Sequence, residues 1–228
     1  MILEIIKLIK QNYETIPYHN FWLVLGLGFN PTKQGGICTD KNYYFYKQLK
    51  EKGFSVSLQS AQINGQNIHQ LIRINIEQKL YLIDVGLGWP IMEPIPLFRN
   101  SRQKAFGIEF SFELDKKQLC VYKIDEGKKL LNYITNIAEY KQDTVLSEIM
   151  NSYDNSIDYP FRKSIRYSRI VDDEFYFLKG DILYYSVNNN IYNNRIVNME
   201  NFESLFLNKL GFDLNIVKQV AKKLKMYK

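Results

Sequence analysis

The apolar pattern of this chain changes period at Gly53, and that change limits what it can fold into. Before the glycine, Ile2, Ile5, Ile6 and Ile9 recur at helical spacing, and Cys38, Asn42, Phe45 and Leu49 repeat that spacing in a second segment that Gly53 closes. A loop rich in Pro and Gly, 26–36, lies between the two. After Gly53 the pattern turns to short β-type runs at 54–58, 68–74, 79–85, 106–114 and 118–124, which predict an antiparallel sheet or barrel. A helical stretch at 140–150, a polar segment ending in Pro160, strands rich in Tyr, Ile and Val over 164–197, and helical pieces at 202–210 and 214–226 complete the chain. Helices, then strands, then strands with helices make an α+β order, without the regular alternation of a doubly wound sheet. Gly26-Leu27-Gly28 lacks a third glycine and a βαβ setting, and there is no Walker-type Gly-x-x-x-x-Gly-Lys.

Composition excludes several classes. In 228 residues, 46% apolar and 24% charged content suits a globular chain with a sizeable core and excludes disorder. The net charge of +6 would suit nucleic acid, but Lys218, Lys222, Lys223, Lys225 and Lys228 crowd into one acid-free tail, and no nucleic-acid-binding motif accompanies them. No nucleic-acid partner is expected. A solvated helix face accounts for the tail. The longest uncharged stretch is broken by Pro17, Gly26, Gly28 and Pro31, so no membrane span is expected. The N-terminal segment interleaves charges with apolar residues, unlike a signal peptide. Cys38 and Cys120 stand far apart with no Cys-x-x-Cys pair, which argues against structural zinc and disulfides, so no metal is expected and a cytoplasmic location is the default.

Chemistry is confined by the scarcity of histidine: any imidazole base is His19 or His69. Cys38 follows Gly35-Gly36 at the start of a helical pattern, where unpaired N–H groups and the helix dipole favour a thiolate and can hold an oxyanion. The plainer reading of Cys38 is a small residue packing a helix end, and Cys120, in mid-strand, reads as core. His69 and Asp84 lie on consecutive strand-like runs. A four-residue loop at 75–78 would pair Ile74 with Lys79 and set His69 directly opposite Asp84, with Cβ atoms ~5 Å apart. That carboxylate would orient the imidazole and leave its other nitrogen for a nucleophile. His19 has no such partner and reads as structural. A cysteine, a histidine base and a carboxylate on a helix start and two adjacent strands suit acyl transfer, but spacing alone does not choose among peptidase, transglutaminase-like enzyme and acyltransferase.

Three blocks resolve that choice by resemblance. Gln34-Gly-Gly-Ile-Cys38-Thr-Asp-Lys-Asn42 resembles the Arg-Gly-Gly-x-Cys-x-Glu-x-Asn block of the arylamine N-acetyltransferases. The strand around His69 is similar to their catalytic histidine strand, and Asp84-Val-Gly86-Leu-Gly88, with Pro94 and Pro96 after it, is similar to their Asp-Val-Gly-Phe-Gly motif. Upstream, Ile16-Pro17-Tyr18-His19-Asn20 resembles Ile-Pro-Phe-Glu-Asn. The match is dense over 16–97 and diffuse beyond it.

The resemblance implies an α+β fold with a helical N-terminal subdomain at 1–54, an antiparallel β-barrel at 55–140, and an interdomain helix with an α/β lid at 141–228. It implies a cysteine-proteinase-like arrangement of catalytic Cys38, His69 and Asp84. It also implies transfer of an acetyl group from acetyl-CoA through a Cys38 thioester to an arylamine or hydrazine. Tyr18 and Leu87 would line the substrate pocket, and Gly65, Gly86 and Gly88 would border the donor cleft. A monomer or homodimer is expected. Gln34 for Arg, Asp40 for Glu, Leu87 for Phe and His19 for Glu depart from the family pattern, and few residues precede Cys38. These departures motivate two alternatives, an amide synthase using a larger acyl donor and a binding protein that has lost turnover.

Overall fold

The computed structural model describes residues 1–154 and 160–226. Helix α1 (Ile2–Thr15) buries Ile5, Ile9 and Tyr13 on one stripe and leaves Ile2 exposed. A two-residue strand β1 (Tyr18–His19) leads into the short helix α2 (Phe21–Leu25). Helix α3 (Cys38–Glu51) buries Cys38, Phe45 and Leu49 and gives way at Lys52, with Gly53 turning left-handed, as the spacing predicts.

The β-type runs become eight strands: β2 (Val56–Ile63), β3 (Gln66–Ile76), β4 (Lys79–Ile83), β5 (Ile95–Pro96), β6 (Ser101–Ala105), β7 (Ile108–Asp115), β8 (Gln118–Asp125) and β9 (Lys128–Asn136). They form one antiparallel sheet in the order β5-β4-β3-β2-β9-β8-β7-β6, curled into a near-closed barrel. Strands β6 and β9 escape the sequence reading because β6 is Ser-Arg-Gln-Lys-Ala and the first half of β9 is exposed on both faces, so neither shows the alternation of a half-buried strand. Cys120 on β8 is half-buried, less enclosed than its mid-strand position predicts.

One expected register is corrected. The β3–β4 connection is a two-residue turn, Glu77-Gln78, both with positive φ, and it pairs Ile76 with Lys79 and Ile74 with Tyr81. Continuing the ladder one step sets Asp84 beside Leu71, so His69 is its diagonal neighbour, not its direct partner. A two-residue slip keeps every side chain on its face, because strand side chains alternate with period two.

Helix α4 (Gln142–Asn151) docks on β2 through the Gln142 side chain, which bonds both Leu58 N (2.9 Å) and Leu58 O (3.0 Å). Most of the polar segment ending in Pro160 lies outside the described residues, as do Tyr227 and Lys228 of the basic tail. The second sheet has the order β1-β10-β11-β12-β13, with β10 (Arg166–Val171), β11 (Glu174–Lys179), β12 (Ile182–Val187) and β13 (Asn190–Arg195). Helix α5 (Met199–Leu205), a π-helical turn at Phe206–Leu210 and helix α6 (Leu214–Lys223) close the chain. Along β11, Phe175 and Phe177 join the core shared with the barrel, α1 and α3, whereas Tyr176 and Leu178 join a second core with α2, α5 and α6. The alternation thus wedges the second sheet between two cores and sets Phe177 over the barrel mouth.

Candidate active site

Helix α3 starts where a tight turn becomes affordable. Gly36 takes φ +154, and a Cβ there would lie 2.3 Å from Asp40 Oδ2. Asp40 occupies that space because it caps the helix, accepting from Ile37 N (3.0 Å) and Asn30 N (3.0 Å) and from the Tyr153 hydroxyl. Burial pushes the Asp40 carboxyl up to about 6 against the pull of these bonds. Asp40, which stands where the family motif has Glu, is thus the cap of α3.

Cys38 is the first residue of α3 and is 3% exposed. Its thiol donates to Ile68 O (3.5 Å), the carbonyl just before His69, and is a hydrogen-bonding neighbour of the His69 ring. On the ring's far side, His69 Nε2 lies 2.8 Å from Asp84 Oδ2. Asp84 Oδ1 accepts from Gly86 N (2.9 Å) and Asn42 Nδ2 (3.2 Å). Burial disfavours charge on His69, yet Asp84 and Cys38 together outweigh it and push the imidazole up to about 10. Burial likewise opposes the Asp84 carboxylate, and His69, Gly86 and Asn42 hold it below the usual carboxylate range. The arrangement favours a proton on the His69 ring, so the ring is suited to take the proton of the neighbouring thiol and hold it, which is what activation of a cysteine nucleophile requires.

Asn42 is more than a helix-spacing residue. From the second turn of α3 it donates to Gln70 O (2.6 Å) as well as Asp84 and accepts from Val85 N (3.0 Å), so it ties the helix to both strands that carry the site. Tyr13 from α1 donates to Asp84 O (3.1 Å), and the Tyr133 ring packs 4.8 Å from the His69 ring. Beneath the site, fully buried Lys41 donates to Ile16 O and sits 5.0 Å from the Tyr13 ring centroid. Its burial lowers the ammonium to about 7, with Asp84 pulling the other way.

His69 and Cys38 open into a cleft of about 270 Å³, lined also by Tyr18, Leu87, Trp89, Asn132, Phe177 and others. Tyr18 and Leu87 stand in the lining. Of the three glycines, Gly86 lines the cleft, packed so closely that a Cβ would meet Cys38 Cα at 2.6 Å. Gly88 lies under the Tyr18 ring and Gly65 at the tip of the β2–β3 turn, both outside the lining. Trp89, Asn132, Arg166 and Lys179 belong to the lining and no sequence signal marked them; the last two reach it through a cross-strand pairing that the sequence does not display. The tail lysines Lys218, Lys222, Lys223 and Lys225 do not line it.

His19 lies elsewhere. It is fully buried among Phe21, Trp22, Tyr167 and Phe212, donates from Nε2 to Gln34 O (3.0 Å), and accepts at Nδ1 from Phe21 N (3.2 Å). Burial lowers it to about 3, so it is a neutral structural imidazole. Among the described residues no cluster of His, Cys, Asp and Glu fit for a metal occurs, and no helix is long and apolar enough to cross a membrane.

A family model described as N-acetyltransferase matches residues 31–220, and the family match and the fold together place this chain among the acyltransferases. The chain belongs to the arylamine N-acetyltransferase family. An uncharacterized acetyltransferase of Bacillus subtilis, YvcN, is 27% identical over 72% of this chain and 66% of its own length. A probable arylamine N-acetyltransferase 3 of Dictyostelium discoideum is 27% identical over 50% of this chain but only 39% of its own length. Among solved structures, the Mycobacterium marinum arylamine N-acetyltransferase in complex with CoA superposes with a TM-score of 0.83, covering 100% of this chain and 94% of that one at 15% identity. The Mycobacterium smegmatis C70Q enzyme gives 0.82, over 99% and 92%, at 16% identity. These two likenesses are of fold.

Proposed function

We propose that this protein transfers an acetyl group from acetyl-CoA to an arylamine or hydrazine through a thioester on Cys38. His69 takes the Cys38 thiol proton, and the sulfur attacks the donor carbonyl; the carbon–sulfur bond to CoA breaks, and CoA leaves as its thiol with the proton returned by His69. The acceptor nitrogen then attacks the acetyl-Cys38 carbonyl, His69 takes the amine proton, and Cys38 is released as the thiol. Asp84 holds the imidazole in orientation and stabilises its charge. The N–H groups of the first turn of α3 face no intrahelical acceptor and are suited to the oxyanion.

The observation that carries this reading is the hydrogen bond of 2.8 Å between His69 and Asp84, with Cys38 on the other side of the ring, inside a chain of this family. The CoA bound by the Mycobacterium marinum protein supports the choice of donor. Incubation with acetyl-CoA is expected to add one acetyl group at Cys38, seen by intact mass, and Cys38→Ala to abolish it. Acetylation that survives in Cys38→Ala ends the reading.

A second reading changes only the acyl group. Leu87 lines the cleft where the family motif has Phe, which leaves room for a donor larger than acetyl, as in an amide synthase. A panel of acyl-CoA donors separates the two, since a strong preference for acetyl over longer chains removes the second.

A further inference from the structure

We propose that Arg166 and Lys179 form an anion-binding subsite inside the Cys38 cleft, which takes a phosphate or carboxylate carried by one of the two substrates. The proposal deepens the acyl-transfer reading of the same cleft.

Arg166 on β10 and Lys179 on β11 are directly opposed cross-strand partners, and both line the cleft with Cys38 and His69. Like charges set directly opposite each other destabilise a sheet, and a bound anion removes that cost. Among the described residues no Asp or Glu lines this cleft and neither cation has a carboxylate partner: Arg166 rests on the Phe161 ring, 4.5 Å away, and its Nε is buried without an acceptor. Among the described residues Asn132 Nδ2 is the other buried and unpartnered polar atom of the lining, so both are donors without an acceptor there.

The cleft continues past Trp89, Asn132 and Lys179 into an outer chamber where Lys123 sits 4.6 Å from the Trp89 ring centroid. Lys123 is 3.6 Å from Asp125, and Glu126 also lines that chamber, so the acids lie at the outer end and the unmatched cations at the Cys38 end. Burial, with Arg166 and Lys123 nearby, lowers the Lys179 ammonium, as expected of a cation without a counter-charge. By face, Arg166 and Lys179 are in line with Ser168 and Phe177, on the side of the sheet turned toward the barrel, and Phe177 itself lines the cleft. A ligand whose reacting atom is at Cys38 therefore passes these two cations.

The test reads the charge of the cleft through alkylation of Cys38, not through acetyl transfer, so it stands or falls separately from the activity. Labelling of the Cys38 peptide is measured with iodoacetate and with neutral iodoacetamide, using glutathione as the reference thiol. Wild type is expected to show an iodoacetate-to-iodoacetamide rate ratio ~10-fold above the reference, the lower end of the focusing that single-sign clefts achieve. Inorganic pyrophosphate should remove this preference, and Lys179→Glu and Arg166→Met should abolish it with iodoacetamide labelling retained. Lys179 is the more exposed of the two cations, so its replacement tests the subsite without opening a core.

A ratio equal to that of glutathione, or one that persists in Lys179→Glu, overturns the proposal. Two kinetic arms then identify the source of the anion: acetyl-CoA against phosphate-free acetylpantetheine, and 4-aminobenzoate against aniline. The KM of one charged substrate, and not of its neutral counterpart, should rise ~10-fold or more in Lys179→Glu, matching the lost focusing. A KM that moves with neither charged substrate overturns the assignment to a substrate.

Discussion

His69 Nε2 and Asp84 Oδ2 lie 2.8 Å apart with both side chains essentially closed to water, so the proton between them is shielded and the pair acts as one unit. Asp84→Asn keeps the shape and removes the charge. Iodoacetamide labelling of Cys38 at pH 7 is expected to slow by ~10²–10⁴-fold, the usual range for losing an activating base. The wild-type rate should change where His69 loses its proton, at about 10, and the variant should lack that step. The folded pKa of His69 lies above its unfolded value, so the pair's stabilisation is complete below pH ~6.5 and is lost as pH rises through about 10. Urea midpoints of wild type and Asp84→Asn should converge over that window.

Lys41 is the opposite case. Its folded pKa of about 7 is below the ordinary lysine value, so the unfolded chain holds more protons between pH 7 and ~10.4, and stability rises with pH across that window. Lys41→Met removes the buried charge and keeps most of the volume. The variant should gain on wild type by ~1–4 kcal/mol at pH 6–7, as buried charges replaced by apolar groups often do. The gain should shrink toward pH 10 in denaturation curves. A gain independent of pH would show that Lys41 binds its proton equally in the folded and the unfolded chain.

Asn42→Ala leaves Val85 N, Gln70 O and one Asp84 oxygen without their side-chain partner. Unsatisfied buried polar groups cost ~1–3 kcal/mol each, and partial relaxation brings the expected total to ~2–4 kcal/mol in urea unfolding. Cys38 labelling should also slow, because the helix and the strands lose their shared anchor. Unchanged labelling in a folded variant would confine Asn42 to stability.

Gly86→Ala tests the closeness of the site. The new Cβ would stand 2.6 Å from Cys38 Cα and 2.6 Å from Asn42 Nδ2, and the first of these neighbours is backbone, which cannot swing aside. Overpacking of this kind costs ~1–3 kcal/mol, read from the urea midpoint, and α3 must shift away from His69. The acetyl adduct on Cys38 should form at least tenfold more slowly, as a misplacement of ~1 Å can cost 10²-fold.

The sequence carried more of the site than of the sheets. Gly35-Gly36 before a helical pattern located the start of α3, and period-two alternation kept His69 and Asp84 on one face even though the loop length read from the sequence was two residues too long. Cys120 reads as core in sequence but is half-buried on β8, because neighbouring strands and not the run itself set how deep it lies. His19 shows no partner in sequence, since its two partners are backbone groups, at Gln34 and Phe21.

Local spacing and residue type determined the class of fold and the broad order of helices and strands, because helix starts, strand faces and turn chemistry act over a few neighbours; they offered Cys38, His69 and Asp84 as one set, which the family resemblance then singled out. Tertiary structure alone decided the β3–β4 register, the anchoring by Asn42, and the meeting of Arg166 with Lys179 beside Cys38. Those depend on how two sheets close over one helix, and long-range contacts that bury unlike segments together leave no period in the chain that makes them.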